Sequence, residues 1–156
     1  MALSGKAVGA GIVGIGLIFG AGLWYATTLA WYDEVEGVEA IEVNGQRFAV
    51  SGYRGLDGRT SPLKLRGCFT LDDPEGALAA GEATDDAVPI TTPGWFDCYD
   101  PAMILAGMEA GEIEAVMAGR DEGDGADLYL AVHEDGRGWV WRQPNGKYER
   151  GGEGLR

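Results

Sequence analysis

Three scarcities mark this chain: no charged side chain from Ala7 to Tyr32, few basic residues after that run, and few side chains suited to catalysis. Between Ala7 and Tyr32 there is no charged side chain, a run of 26 residues. Roughly 20 apolar residues are enough to cross a hydrocarbon core of about 30 Å. A surface helix of a soluble domain needs a polar face, and here only Thr27 and Thr28 offer any polarity. The run predicts one uncleaved transmembrane helix, with residues 1–32 as an N-terminal anchor. A secretory signal is the competing reading, because Thr28-Leu29-Ala30 loosely resembles a small-x-small cleavage site. The run is longer than the usual signal core of roughly 7–15 residues, which favours the anchor.

Basic residues number 11 against 25 acidic ones after the membrane segment, a net charge of −14 over residues 33–156. Such a surface repels nucleic acid and anionic headgroups, so neither is expected as a ligand. It suits a basic protein, or simply solubility. His133 is the lone histidine, expected in a strand beside a turn. There is no GxSxG, no HExxH and no phosphate-binding glycine loop. No catalytic residue, cofactor or metal is therefore assigned. Asp121, Asp124 and Asp127 with Gly123 and Gly125 suggest a calcium loop, but glycine at the third position and Val132 at the twelfth break the EF-hand pattern. A solvated acidic loop is the expectation.

Cysteine is limited to Cys68 and Cys98, too far apart for a CxxC redox pair and without a CxxCH haem motif. In an oxidising compartment they would form a disulfide, whose loop of about 30 residues contributes about 3–4 kcal/mol in the chain-entropy model. The alternative is two buried thiols that never meet.

What the sequence does hold is glycine and aromatic residues at telling places. Seven glycines lie between Gly5 and Gly22, and Gly16-Leu17-Ile18-Phe19-Gly20 matches GxxxG. Gly9, Gly16 and Gly20 are the expected helix-packing face, since small residues let backbones approach closely. Trp24, Tyr25, Trp31 and Tyr32 form an expected membrane-interface belt. Lys6 precedes the run, and the first basic residue after it is Arg47. The positive-inside rule then sets the N-terminus in the cytoplasm and the domain in the periplasm, anchored in the lipid bilayer of a bacterial inner membrane.

The rest reads as one acidic α+β domain over residues 33–144, with an antiparallel sheet and two short helices, then a polar flexible tail over 145–156. Asn44-Gly45 between Ile41-Glu42-Val43 and Arg47–Val50 is a strong hairpin signal. A loop is expected from Gly52 to Pro62, and a strand from Leu63 through Phe69. Asp72-Asp73-Pro74 opens a helix closed by Gly81, and Asp100 caps another over Ala102–Ala110 that Gly111 stops. Ile104, Leu105 and Met108 are expected on its buried face. Ile113–Met117 fits strand or helix, and Asp127–His133 with Trp139–Gln143 fits a second hairpin. Trp95, Phe96 and Tyr99 are expected in the core beside Cys98, or, alternatively, on the surface as interaction anchors.

Four segments, Tyr53–Asp57, Ser61–Phe69, Pro93–Asp100 and Asp135–Gly138, resemble an uncharacterised family of single-pass bacterial envelope proteins, a domain of unknown function. The block Pro93-Gly94-Trp95-Phe96-Asp97-Cys98 is the most specific. Some members carry a histidine-kinase label, which nothing in this chain supports. The resemblance implies a shared architecture and no activity. The functional expectation is a non-catalytic accessory or assembly subunit of a membrane-embedded energy-converting complex, respiratory or photosynthetic. Its partners would be an integral membrane protein complex and a basic soluble electron carrier. The alternatives are an envelope thiol/redox enzyme and a homodimeric binding or sensor module.

Overall fold

The computed structural model describes residues 4–148. The chain divides into two compact units, Met1–Tyr32 and Asp33–Arg156. The first is the helix α1, Gly5–Thr28. Its 24 residues extend about 36 Å at 1.5 Å per residue. Ser4 caps it, its hydroxyl accepting from the Ala7 amide. The Thr27 hydroxyl donates to the Leu23 carbonyl at 2.9 Å and that of Thr28 to the Trp24 carbonyl. Both thus satisfy their polar groups inside the helix, as an apolar surrounding requires. This one N-terminal helix is long and apolar enough to cross a membrane.

The second unit is mixed α+β, built on one antiparallel sheet. Strands β1 (Asp33–Glu36) and β2 (Ala40–Val43) both pair with the long β3 (Gln46–Asp57). Next come β4 (Arg66–Leu71), helix α2 (Pro74–Ala80), the short β5 (Glu82–Ala83) and helix α3 (Pro101–Ala110). Strands β6 (Ile113–Gly123), β7 (Ala126–His133) and β8 (Arg137–Pro144) complete it. The sheet order is β1-β3-β4-β8-β7-β6-β5.

Asn44 and Gly45 both take positive φ, +46° and +82°, so the expected hairpin forms there. Its turn also docks: the Asn44 amide donates to the Ala118 carbonyl at 2.6 Å, and its side chain to the Ala80 carbonyl at 3.0 Å. Two other expectations fail for local reasons. The polar segment from Gly52 continues as strand to Asp57, because Gly52 at φ +63° absorbs a bulge between Ser51 and Arg54. A bulge re-aims a strand and leaves the ladder running beyond it. Pro62–Lys64 is a 3-10 turn, so the next strand starts only at Arg66. Ser61 accepts from the Leu63 amide, and Pro62 sets the φ of a first helical turn.

Alternation along the strands sends two sets of side chains to opposite faces. Val43, Val50, Phe69, Leu71, Val116, Leu130, Val132 and Val140 form one core with Ala77 of α2. The other face carries Trp139, Trp141 and Tyr129, and α3 with the segment 84–100 covers it. Covered on both sides, β7 is buried nearly throughout, which hides its alternation. In α3 the buried positions are Ile104 and Gly107, with Met108 half-buried. Leu105, expected inside, is 41% exposed. A Cβ on Gly107 would lie 2.5 Å from Ile113 Cδ1, so glycine there allows the close approach that chooses the buried face.

Candidate functional site

The strap of residues 84–100 is tied to the aromatic face at four places. Arg66 is buried, and its guanidinium donates to the carbonyls of Leu63, Leu65, Ile90 and Thr91 at 2.6–3.3 Å. Gln143 donates to the Asp86 carbonyl at 2.7 Å and accepts from the Val88 amide at 2.9 Å. The indole N–H of Trp139 donates to the Cys98 carbonyl at 3.2 Å. Finally, Cys68 on β4 and Cys98 on the strap form a disulfide with Cα atoms 6.1 Å apart. Of the two readings left open for the cysteines, this one holds.

Beneath the strap, Trp141 stacks on Tyr129 at 5.9 Å and meets Tyr99 edge-on at 6.4 Å. Tyr99 and Phe96 are buried. Neither ring is therefore available as a surface anchor, and of the expected interaction aromatics only half-exposed Trp95 reaches solvent. Arg54 lies over the Phe96 ring at 5.9 Å and pairs with Asp97 at 3.0 Å.

Where the strap's start, β6 and the end of β8 converge, they leave an open cleft of about 440 Å³. Glu82, Asp85, Asp86, Asp127, Arg120 and Tyr129 line it. Glu82 already holds Arg120, at 2.5 Å, and that hydrogen bond raises the arginine's pKa. Burial, then the carboxylates of Asp127 and Asp86, push the Tyr129 phenol above its ordinary range, so it stays a neutral donor. The cleft's uncompensated charge is thus carboxylate.

An adjoining groove of about 490 Å³ contains Asp121, Asp127, Asn145 and Lys147. Here the calcium-like triad has an internal cation. The Lys147 ammonium lies 2.9 Å from Asp121 and 2.9 Å from Asp124, lowering both carboxyl pKa values chiefly through these hydrogen bonds. Asp127 points elsewhere, accepting from the Asp121 amide at 2.7 Å and the Asn145 side chain at 3.0 Å. Tyr148 donates to Asp124 as well. Asn145, Lys147 and Tyr148 of the expected tail are therefore bonded around the β6–β7 turn, while residues 149–156 lie outside the described residues. Among the described residues no three His, Cys, Asp or Glu side chains form a metal-binding group.

His133 is half-buried and accepts from the Asp135 amide at 3.2 Å, shaping the β7–β8 turn. Gly9, Gly16 and Gly20 lie along α1, and among the described residues nothing stands within 4 Å of a Cβ placed on any of them. Trp24, Tyr25 and Trp31 are exposed and Tyr32 half-exposed.

A family model matches residues 35–154. The chain belongs to the family of unknown function DUF6446. The DUF6446 region begins within β1 and takes in the whole remaining sheet, both cysteines, the strap and the cleft, leaving α1 outside. All four segments that carried the sequence resemblance fall inside it. No curated protein and no solved structure matches the chain. Arg66, Gln143 and Lys147, which hold the DUF6446 site together, had no sequence signal of their own. Each reaches a residue 23 to 57 positions away.

Proposed function

We propose that this chain is a membrane-anchored accessory or assembly subunit of a larger membrane-embedded complex, with its DUF6446 domain on the periplasmic side of a bacterial inner membrane. The observation that carries the proposal is that α1 buries none of its own residues. A helix so apolar needs lipid or another helix around it, and the face of Gly9, Gly16 and Gly20 suits a close helix partner. The disulfide supports the periplasmic side, since such bonds persist in oxidising compartments. Lys6 in the first turn of α1 supports the same orientation.

For the domain, a carboxylate-lined cleft without a nucleophile beside a base supports a docking role over a catalytic one. An energy-converting complex, respiratory or photosynthetic, is the partner class proposed, because a basic soluble electron carrier would be steered toward such a surface. The thiol/redox alternative is less well supported. Cys68 is buried in a central strand, whereas reactive cysteines sit in partly exposed, electropositive surroundings.

The test is purification of the tagged full chain in mild detergent, followed by native gel and mass spectrometry. Stoichiometric recovery with one large membrane complex, reduced when Gly16 and Gly20 are replaced by Leu, is the expected result. Recovery of the chain alone would overturn the reading.

A further inference from the structure

Half of α3 faces outward, and that half is apolar. Ala102, Met103, Leu105, Ala106, Glu109 and Ala110 are exposed, with Met103 and Leu105 keeping 38% and 41% of their surface accessible. A helix on a soluble domain normally turns polar residues outward. Here five of the six outward positions are apolar. Ala102, Ala106 and Ala110 recur every fourth residue, a low ridge flanked by Leu105 on one side and Met103 on the other.

Along the chain, the charge flanking this ridge has one sign. From Gly67 to Gly119 the chain contains 11 Asp and Glu residues and no Lys, Arg or His. Asp100 caps α3 at one end, Glu109 stands within the outward face, and exposed Glu112 follows the helix. Such a rim rejects two occupants of an apolar surface. A second copy would bring like charges together, and an anionic lipid surface would be repelled. An amphipathic helix with Lys and Arg beside its apolar stripe satisfies both features, the apolar contact and the charge.

We propose that the outward face of α3 docks a basic amphipathic helix of a partner protein. The apolar stripe of that helix lies on the alanine ridge between Leu105 and Met103, and its cations reach Asp100, Glu109 and Glu112. Small alanines allow close backbone approach, and Met103 adapts its shape to the partner. The source of the helix rests on the subunit reading above, whereas the surface can be tested apart from it.

The experiment is photo-crosslinking of the full chain in its native membrane. Benzoylphenylalanine is placed at Ala106, and at Ala79, exposed on α2, as the control. The expected product from Ala106 is a crosslink to a segment of another protein whose apolar stripe is flanked by Lys or Arg. Met103→Glu with Leu105→Glu should reduce it at least about tenfold. Glu109→Lys, a change at one exposed position, should weaken it by charge alone. Crosslinks to lipid, to a second copy or to an acidic segment would overturn the proposal, as would none at all or equal yield from Ala79. A complex that co-purifies without crosslinking from Ala106 overturns the surface and leaves the subunit reading standing. A basic helix crosslinked without any co-purifying complex does the reverse.

Discussion

Arg66 on β4 bonds at once to the chain just before its own strand and to the strap. Its head is buried, and four carbonyls accept from it, two of them on the strap. Hydrogen bonds to a charged group contribute about 1.5–3 kcal/mol each, and the carbonyls left behind would be unsatisfied. Arg66→Ala should therefore lower unfolding stability by about 3 kcal/mol or more, measured by urea titration of the full chain in detergent with tryptophan fluorescence. Arg66→Lys should recover only part, because a single ammonium cannot reach carbonyls on both sides as a planar fork does. A neutral result for Arg66→Ala would mean the strap is held without it.

At the scale of elements, the strap is the part whose place depends on a covalent bond. Replacing Cys68 and Cys98 with Ser removes the closed loop, and a loss of about 3–4 kcal/mol is expected in thermal or urea unfolding. The Trp141 and Tyr129 environment should change with it, seen as a shift in near-ultraviolet circular dichroism. Much of the element pattern was legible beforehand. Asn44-Gly45, Asp100 with Gly111, and the alternation around Trp139 each encode local geometry, and local geometry is what a sequence displays directly. The errors have a shared cause. Gly52 opens a stretch rich in Gly, Asp and Ser that suggests a loop, although a single left-handed residue can sit inside a bulged strand. Leu105 shares an apolar face with Ile104 and Met108 by spacing, whereas the contact of Gly107 with Ile113 sets a different face inward. The cleft was the least legible, because Glu82, Arg120, Asp127 and Gln143 come together only through sheet order.

For the whole molecule, a helix whose one charged side chain is Lys6 and a domain of net charge −14 predict, on the subunit reading, two kinds of attachment with different salt responses. Raising ionic strength from 0.1 to 1 M shortens the screening length from about 10 to about 3 Å. Basic components held by the domain should be released from the purified assembly over that range. Contacts made through Gly9, Gly16 and Gly20 within lipid should persist. Quantitative mass spectrometry of the two washes checks this, and retention of every component at high salt would exclude electrostatic docking. The cysteine count carries one more consequence, for how the chain matures. With only Cys68 and Cys98 present, a single intramolecular bridge can form, so there is no mismatched intermediate to rescue. An oxidant completes the covalent structure in one step, and enzymes that reshuffle bridges have no substrate within this polypeptide.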